Sequence, residues 1–363
     1  MSELDRELLR EILESWVSSN SLSASAWEKL KVWALADELR AKAFGITSKN
    51  VVELLDLRSH LFPQLHSQVI EYCQNKGFSS RALILETLWE LWLPLAIQLA
   101  TWRRDLLCPL IQGILGGQGT GKTTLAAVLS LILKHLGYET LSISIDDLYK
   151  TYAERKELQK QDPRLIWRGP PGTHDVQLGI EVLTQLRQQK TPVKIPRFDK
   201  SLWQGAGDRT TPEIVEKADI VLFEGWFVGV RPIDPTTFDS APEPIVTLSD
   251  KNFARDINFQ LQQYLPLWQL LDRLIVLYPV DYRLSLQWRK QAEQEMIALG
   301  KSGMTNEVIE QFVQYFWRSL HPELFIKPLV KNPDLVDLVI AINSDRSPGA
   351  VYQPGTTTAF KNE

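Results

Sequence analysis

The 363-residue chain is poor in sulfur: it has two cysteines, Cys73 and Cys108, and three methionines. Two thiols cannot build a disulfide framework or a cysteine-lined metal centre, and their scarcity suits a reducing compartment. Surplus positive charge is also missing, because 40 Lys and Arg stand against 44 Asp and Glu for a net charge of −4. Binding nucleic acid through bulk charge needs a basic excess, so no nucleic-acid partner is expected. There is no long uninterrupted apolar run. The most apolar stretch, residues 82–100, is broken by Glu86, Glu90 and Pro94, groups that are costly at membrane depth. The opening residues Met1-Ser-Glu-Leu-Asp-Arg-Glu7 have neither the apolar centre of a secretory leader nor the Arg-rich, acid-poor pattern of a transit peptide. The expectation is a cytoplasmic protein with no membrane contact.

Hydrophobic residues make up 44% of the chain and charged residues 23%, enough to bury a core and too apolar for a disordered chain. Residues 1–105 read as helical. Leu4, Leu8, Leu9, Ile12, Leu13 and Trp16 fall on one helical face, and Ser2 with Asp5, Ser25 with Glu28 and Asn50 with Glu53 resemble helix starts. Trp27, Leu30, Trp33 and Ala34 form a second stripe, expected to be core rather than a partner surface. Leu35 and Leu39 lie off that stripe, so contact on two sides of this helix is expected. Gly45 marks a stop, and the helix spanning about 80–104 should kink at Pro94. No chemical motif occurs in this region, and any protein partner of these helices stays unknown.

From residue 106 the pattern changes. Apolar runs at 110–115, 140–145, 220–223, 274–278 and 335–342 alternate with helical stretches such as 123–136 and 177–189. That alternation predicts an α/β fold, a parallel sheet with helices on both faces, over residues 106–347. Residues 348–363 are expected to be a loose tail.

Gly116, Gly117, Gln118, Gly119, Thr120, Gly121, Lys122, Thr123 and Thr124 follow the first of these strands and open a helix. The spacing Gly-x4-Gly-Lys-Thr in that setting is a nucleotide-binding P-loop, so the core is expected to have the P-loop NTPase fold. Its glycines turn successive amides toward one point, where a phosphate sits at the helix N-terminus. Lys122 would bridge the β- and γ-phosphates, and the Thr123 hydroxyl would ligate Mg²⁺, making ATP and Mg²⁺ the expected cofactors. Such a site needs an acid at a neighbouring strand end. Glu224 closes the run Asp219-Ile-Val-Leu-Phe223, and Asp146 and Asp147 close Leu141-Ser-Ile-Ser-Ile145. Glu224 and Asp146 are the candidate metal ligands, whereas Asp147 is equally suited to capping a helix.

The loops between 168 and 209 gather Arg168, His174, Asp175, Lys194, Arg197, Asp199, Lys200, Asp208 and Arg209. Paired cationic forks suit a small hydroxy acid and its phosphorylated product. Arg168, His174, Asp175, Arg197, Asp199 and Arg209 are the candidate substrate residues. For His174 a structural hydrogen bond, and for Arg197 and Arg209 a surface ion pair, are the competing readings.

The blocks Ser142-Ile-Ser-Ile-Asp-Asp-Leu-Tyr149, Arg168-Gly-Pro-Pro-Gly-Thr-His-Asp175, Ile195-Pro-Arg-Phe-Asp-Lys-Ser201, Gly205-Ala-Gly-Asp-Arg209 and Phe223-Glu-Gly-Trp226 occur in that order. With the P-loop, and with Gln287-Trp-Arg-Lys-Gln-Ala-Glu293 and Gly303-Met304 further on, they resemble plant- and cyanobacterial-type D-glycerate 3-kinases. That family lies in the phosphoribulokinase and uridine kinase group. The likeness covers roughly residues 109–347. It implies ATP-dependent phosphorylation of D-glycerate to 3-phosphoglycerate, the photorespiratory salvage of glycolate carbon. By the same resemblance, Asp146 is the catalytic base, Lys122 a catalytic cation and Arg289 a lid arginine over the phosphates. Leu148 stands where many relatives carry Phe, and Ala206 where many carry Arg. The competing expectations are another kinase of this group, acting on a nucleoside, pantothenate or a sugar phosphate, and an ATP-driven switch with no small acceptor.

Overall fold

The computed structural model describes residues 3–298 and 303–356. The expected cap at Ser2 lies outside them. Helices α1 (Glu3–Ser19), α2 (Ala24–Ala36), α3 (Glu38–Ala43), α4 (Val51–Asn75), α5 (Arg81–Thr87) and α6 (Leu93–Arg104) precede the first strand. The cap of α2 is Ser23, whose hydroxyl accepts the Ala26 amide, rather than Ser25. Asn50 flanks α4 but bonds back to the turn at Gly45 and Thr47. Between α5 and α6 the chain makes one π-helical turn, Leu88–Trp92. It absorbs the amide missing at Pro94, which sits in the first turn of α6. The span Arg81–Arg104 is long and apolar enough to cross a membrane, yet 78% of its most apolar window is buried within the protein. Trp16, Phe62 and Trp89 meet there at centroid distances of 4.9 to 5.7 Å.

The strands are β1 (Leu110–Gly116), β2 (Thr140–Ser144), β3 (Val193–Ile195), β4 (Phe198–Asp199), β5 (Asp208–Arg209), β6 (Glu213–Val215), β7 (Ile220–Gly225), β8 (Arg273–Pro279), β9 (Leu338–Ile342) and β10 (Pro348–Tyr352). Six of them form one sheet in the order β10-β9-β8-β1-β7-β2. All its pairings are parallel except β9 with β10. β10 corrects the expected loose tail over 348–352: Val351 and Tyr352 are buried and pair with β9. An apolar pair two residues long left too weak a pattern to stand out. The antiparallel pairs β3–β6 and β4–β5 form two separate two-stranded sheets.

Side chains alternate along each strand, so successive residues serve opposite faces. Leu110, Ile114, Ile220, Leu222, Ile275 and Leu277 face a core shared with α1–α6 and with α7 (Lys122–His135). Ile111, Leu115, Val221, Phe223, Leu274 and Val276 face a second core. That core is completed by α9 (Val176–Arg187), α10 (Leu248–Gln260), α11 (Leu265–Trp268), α13 (Asn306–Ser319) and α14 (Pro322–Leu329). Of two further helices, α8 (Tyr152–Gln161) is tied to β5 by the Tyr152 amide on Asp208, and α12 (Leu284–Ala298) packs Trp288 against Gly119. The N-terminal helices thus cover one sheet face together with α7, with Leu30 buried and Trp27 and Trp33 packed against the same core. In register, Ile114 of β1 and Ser144 of β2 both flank Glu224 of β7. The three strand ends therefore open onto one edge, where ligands bind in open parallel sheets.

Candidate active site

The turn from β1 into α7 is built on positive φ angles, 78° at Gly119 and 86° at Gly121. Side-chain-bearing residues adopt such angles at a cost. At Gly119 space is short as well: a Cβ there would lie 2.8 Å from Trp288 Cβ, so α12 rests directly on the loop. Lys122 Nζ donates to the Gly117 carbonyl at 2.9 Å, and Thr120 Oγ1 donates to the same oxygen at 2.8 Å. Burial draws the Lys122 ammonium below its ordinary value against the pull of Glu224 and Asp146. The fields of both acids therefore converge on one lysine. Thr123 Oγ1 donates to Glu224 Oε1 at 3.0 Å, joining the start of α7 to the end of β7.

Asp146 follows β2 in a single 3₁₀ turn, Ile145–Leu148. Burial by itself would raise its carboxyl, but Lys200, His174 and the Tyr149 hydroxyl outweigh it and hold it below the ordinary value. Lys200 Nζ lies 2.5 Å from Asp146 Oδ2. Asp147 has a different task. Its carboxylate accepts the Ser144 amide at 3.0 Å, closing a capping box, and pairs with Arg197 at 3.0 Å. Of the two readings of Asp147, the structure shows the cap.

His174 is buried beside this acid. Its ring stacks on Tyr149 at 4.5 Å, and burial lowers its pKa to about 3, leaving a neutral imidazole. Arg168 Nη1 donates to the carbonyls of Gly205 and Ala206 at 2.6 and 3.0 Å, and its guanidinium lies over Tyr149 and Phe198. Arg155 braces the same loop through Ala206 and Gly207. The loop is thus held by its backbone at Ala206.

The other sequence-predicted substrate residues are engaged within the protein. Asp175 caps α9 through the Leu178 amide and pairs with Arg209 at 3.0 Å. Arg209 also donates to the Tyr149 carbonyl, and Arg197 bonds Asp147, Glu213 and the Ser142 carbonyl. Asp199 accepts from Ser201 in a local turn. Asp175, Arg197 and Arg209 tie the strand-end loops together, while Arg168, His174 and Asp146 gather around Tyr149. Arg289 pairs along α12 with the buried Glu293, and its guanidinium lies over Phe312. An apolar cavity of about 80 Å³ lies against Gly116–Gln118, walled by Trp226, Phe227, Trp288 and Phe316.

No protein-family model matches the chain. The chloroplastic D-glycerate 3-kinase of Arabidopsis thaliana is 33% identical over 259 residues, which cover 67% of this chain and 55% of that protein. The uncharacterized kinase mug58 of Schizosaccharomyces pombe is 34% identical over 217 residues, 57% of this chain and 78% of its own length. The chain belongs to the D-glycerate 3-kinase-like family of P-loop kinases. A solved D-glycerate 3-kinase from Cryptococcus neoformans superposes with a TM-score of 0.63 at 28% identity, over 71% of this chain and 96% of its own. The chain spans little more than half the length of the Arabidopsis relative.

Four residues of the candidate site escape sequence reasoning. Tyr149 carries no signal of its own in the sequence, although its hydroxyl bonds Asp146. Lys200 was one charge among many until the fold set it on Asp146. Trp288 adjoins the expected lid arginine and packs on Gly119. Tyr264, 90 residues from His174, is its ring partner, and no local signal could have found it.

Proposed function

We propose that this chain transfers the γ-phosphoryl group of ATP to the 3-hydroxyl of D-glycerate. The observation that carries the reading is Asp146, an acid held ionised by Lys200 at the end of β2, whose field reaches the P-loop Lys122. A carboxylate in that place accepts the hydroxyl proton as the alcohol oxygen attacks phosphorus and ADP departs. Residues 116–124 hold the triphosphate through amides, and Lys122 leaves the Gly117 carbonyl to neutralise the β- and γ-oxygens.

The oxygen donors of Thr123, Glu224 and Asp146 fit Mg²⁺, a hard cation that takes few protein ligands; among the described residues no denser metal cluster exists. Mg²⁺ bound there would screen phosphate charge. Arg168 and His174 recognise the acceptor's oxygens, Asp175, Arg197 and Arg209 hold the loops that carry them, and Asp199 shapes the turn at Ser201. Arg289 acts as a lid arginine once it exchanges Glu293 for phosphate. With D-glycerate as acceptor, the protein serves the salvage of glycolate carbon, in the cytoplasm.

The test is coupled ADP release with and without D-glycerate, with identification of the phosphorylated product. Acceptor-dependent release and 3-phosphoglycerate support the reading. Release that is equal without an acceptor identifies an ATP-driven switch instead.

A further inference from the structure

His174 is 2% exposed, yet one of its ring nitrogens, Nε2, is buried with no hydrogen-bond partner among the described residues. The other, Nδ1, lies 2.8 Å from the Tyr264 hydroxyl. That hydroxyl decides where the ring proton sits. Its oxygen accepts the Gly172 amide at 2.9 Å, and burial raises its pKa, so the phenol keeps its proton. Tyr264 is fully buried, and a buried O–H needs an acceptor inside the protein. Among the described residues the acceptor that it meets is His174 Nδ1. A neutral imidazole that accepts at Nδ1 carries its hydrogen on Nε2. The chain Gly172 N–H to Tyr264 O–H to Nδ1 therefore leaves Nε2–H as an unused donor.

The surroundings show what that donor serves. The imidazole stacks on Tyr149, whose hydroxyl bonds Asp146, and the Asp146 charge reaches the ring. We infer that Tyr264 is a positioning residue that holds His174 as the Nε2–H tautomer, so that this N–H binds an oxygen of the acceptor beside Asp146. The inference rests on the kinase reading and deepens it. It makes the site selective for an acceptor that presents a hydroxyl or carboxylate oxygen there. A group offering only N–H would meet donor against donor, and the buried N–H would stay unpaired.

The test uses the full-length protein and three variants, Tyr264→Phe, His174→Gln and His174→Asn. Long-range ¹⁵N–¹H spectra of the histidine rings, with the His174→Gln sample assigning the resonance, read the tautomer without substrate. The wild type is expected to carry its proton on Nε2, and Tyr264→Phe to show a mixture of both tautomers. A wild-type proton on Nδ1 overturns the inference.

In steady-state kinetics Tyr264→Phe is expected to raise KM for D-glycerate about tenfold and leave KM for ATP within about twofold, as the loss of one aligned hydrogen bond predicts. His174→Gln places an amide N–H near the Nε2 position, so its KM for D-glycerate should rise several-fold less than that of His174→Asn, about threefold or more apart. Equal losses in Gln and Asn, or an equal rise in both KM values for Tyr264→Phe, indicate a packing role and overturn the inference. Should the wild type fail to phosphorylate D-glycerate, the substrate reading falls, and the ring spectra still decide the relay.

Discussion

Lys200 Nζ stands 2.5 Å from Asp146 Oδ2, reaching from the β4–β5 hairpin to the end of β2. It is first among the groups that overcome burial and keep this carboxyl below its ordinary value. A carboxyl so held is ionised throughout the neutral range, and activity limited by it is lost only in acid. In Lys200→Met, burial is no longer outweighed and the Asp146 pKa rises. The acid limb of the kcat/KM profile, recorded from about pH 4 to 9, should therefore move toward neutrality. An acid limb that stays in place would show that Lys200 does not set the state of Asp146.

Asp146→Asn keeps the size of the side chain and removes its ability to take a proton. Turnover should fall by about 10²- to 10⁴-fold, the usual contribution of a general base. ATP affinity, measured by calorimetric titration, should change little, because the P-loop amides are untouched. A variant with near-wild-type kcat removes Asp146 from the proton transfer.

Gly119→Ala combines two penalties, a φ of 78° and a new Cβ 2.8 Å from Trp288 Cβ. Both elements that would have to move, the P-loop and α12, are packed. The expected result is a stability loss of about 1–3 kcal/mol with a raised KM for ATP. Thermal melts with and without nucleotide check it, and an unchanged KM for ATP would contradict the close packing of α12 on the loop.

His174 gives a pH signature of stability. Its folded pKa is depressed to about 3, well below the unfolded value of about 6.5. The unfolded chain therefore binds the proton first, and the stability present above about pH 6.5 is lost as pH falls, by up to about 1.4 kcal/mol per unit. In His174→Gln this source of acid sensitivity is absent. The wild type's advantage in unfolding free energy over the variant should shrink from pH 7 toward about pH 4. A difference independent of pH would mean that the imidazole is already charged or exposed.

Glu86 is a buried acid that anchors α1 to α5, with Arg10 Nε at 2.5 Å and Arg6 Nη1 at 3.6 Å. Glu86→Ala leaves those guanidinium groups without their acid. A loss of about 1–3 kcal/mol is expected in chemical denaturation, reduced from the fully buried case because both arginines are partly exposed.

The backbone of the site was legible from local pattern. The positive φ at Gly119 and Gly121 follows from the Gly-x4-Gly-Lys-Thr spacing, and β1, β2 and β7 follow from the apolar runs at 110–115, 140–145 and 220–223. The β10 edge strand was not legible, because its paired residues are too few to produce a period. The partners of the charged residues were also hidden. Arg197, Arg209, Asp175 and Asp199 looked alike as candidate substrate groups. The fold set Arg197 on Asp147 and Arg209 on Asp175, and gave Asp199 to a turn with Ser201.

Sequence alone determined the phosphate loop, the strand-end acids and the alternation that makes the sheet, since each depends on residues close in the chain and on glycine's freedom or a two-residue period. Tertiary structure alone decided that Lys200 reaches Asp146, that Tyr264 faces His174, and that α1–α6 share the face of α7. Those pairings join segments tens of residues apart. Their ionisation and hydrogen bonding depend on burial and on which loops meet, and the order of residues carries no direct trace of either.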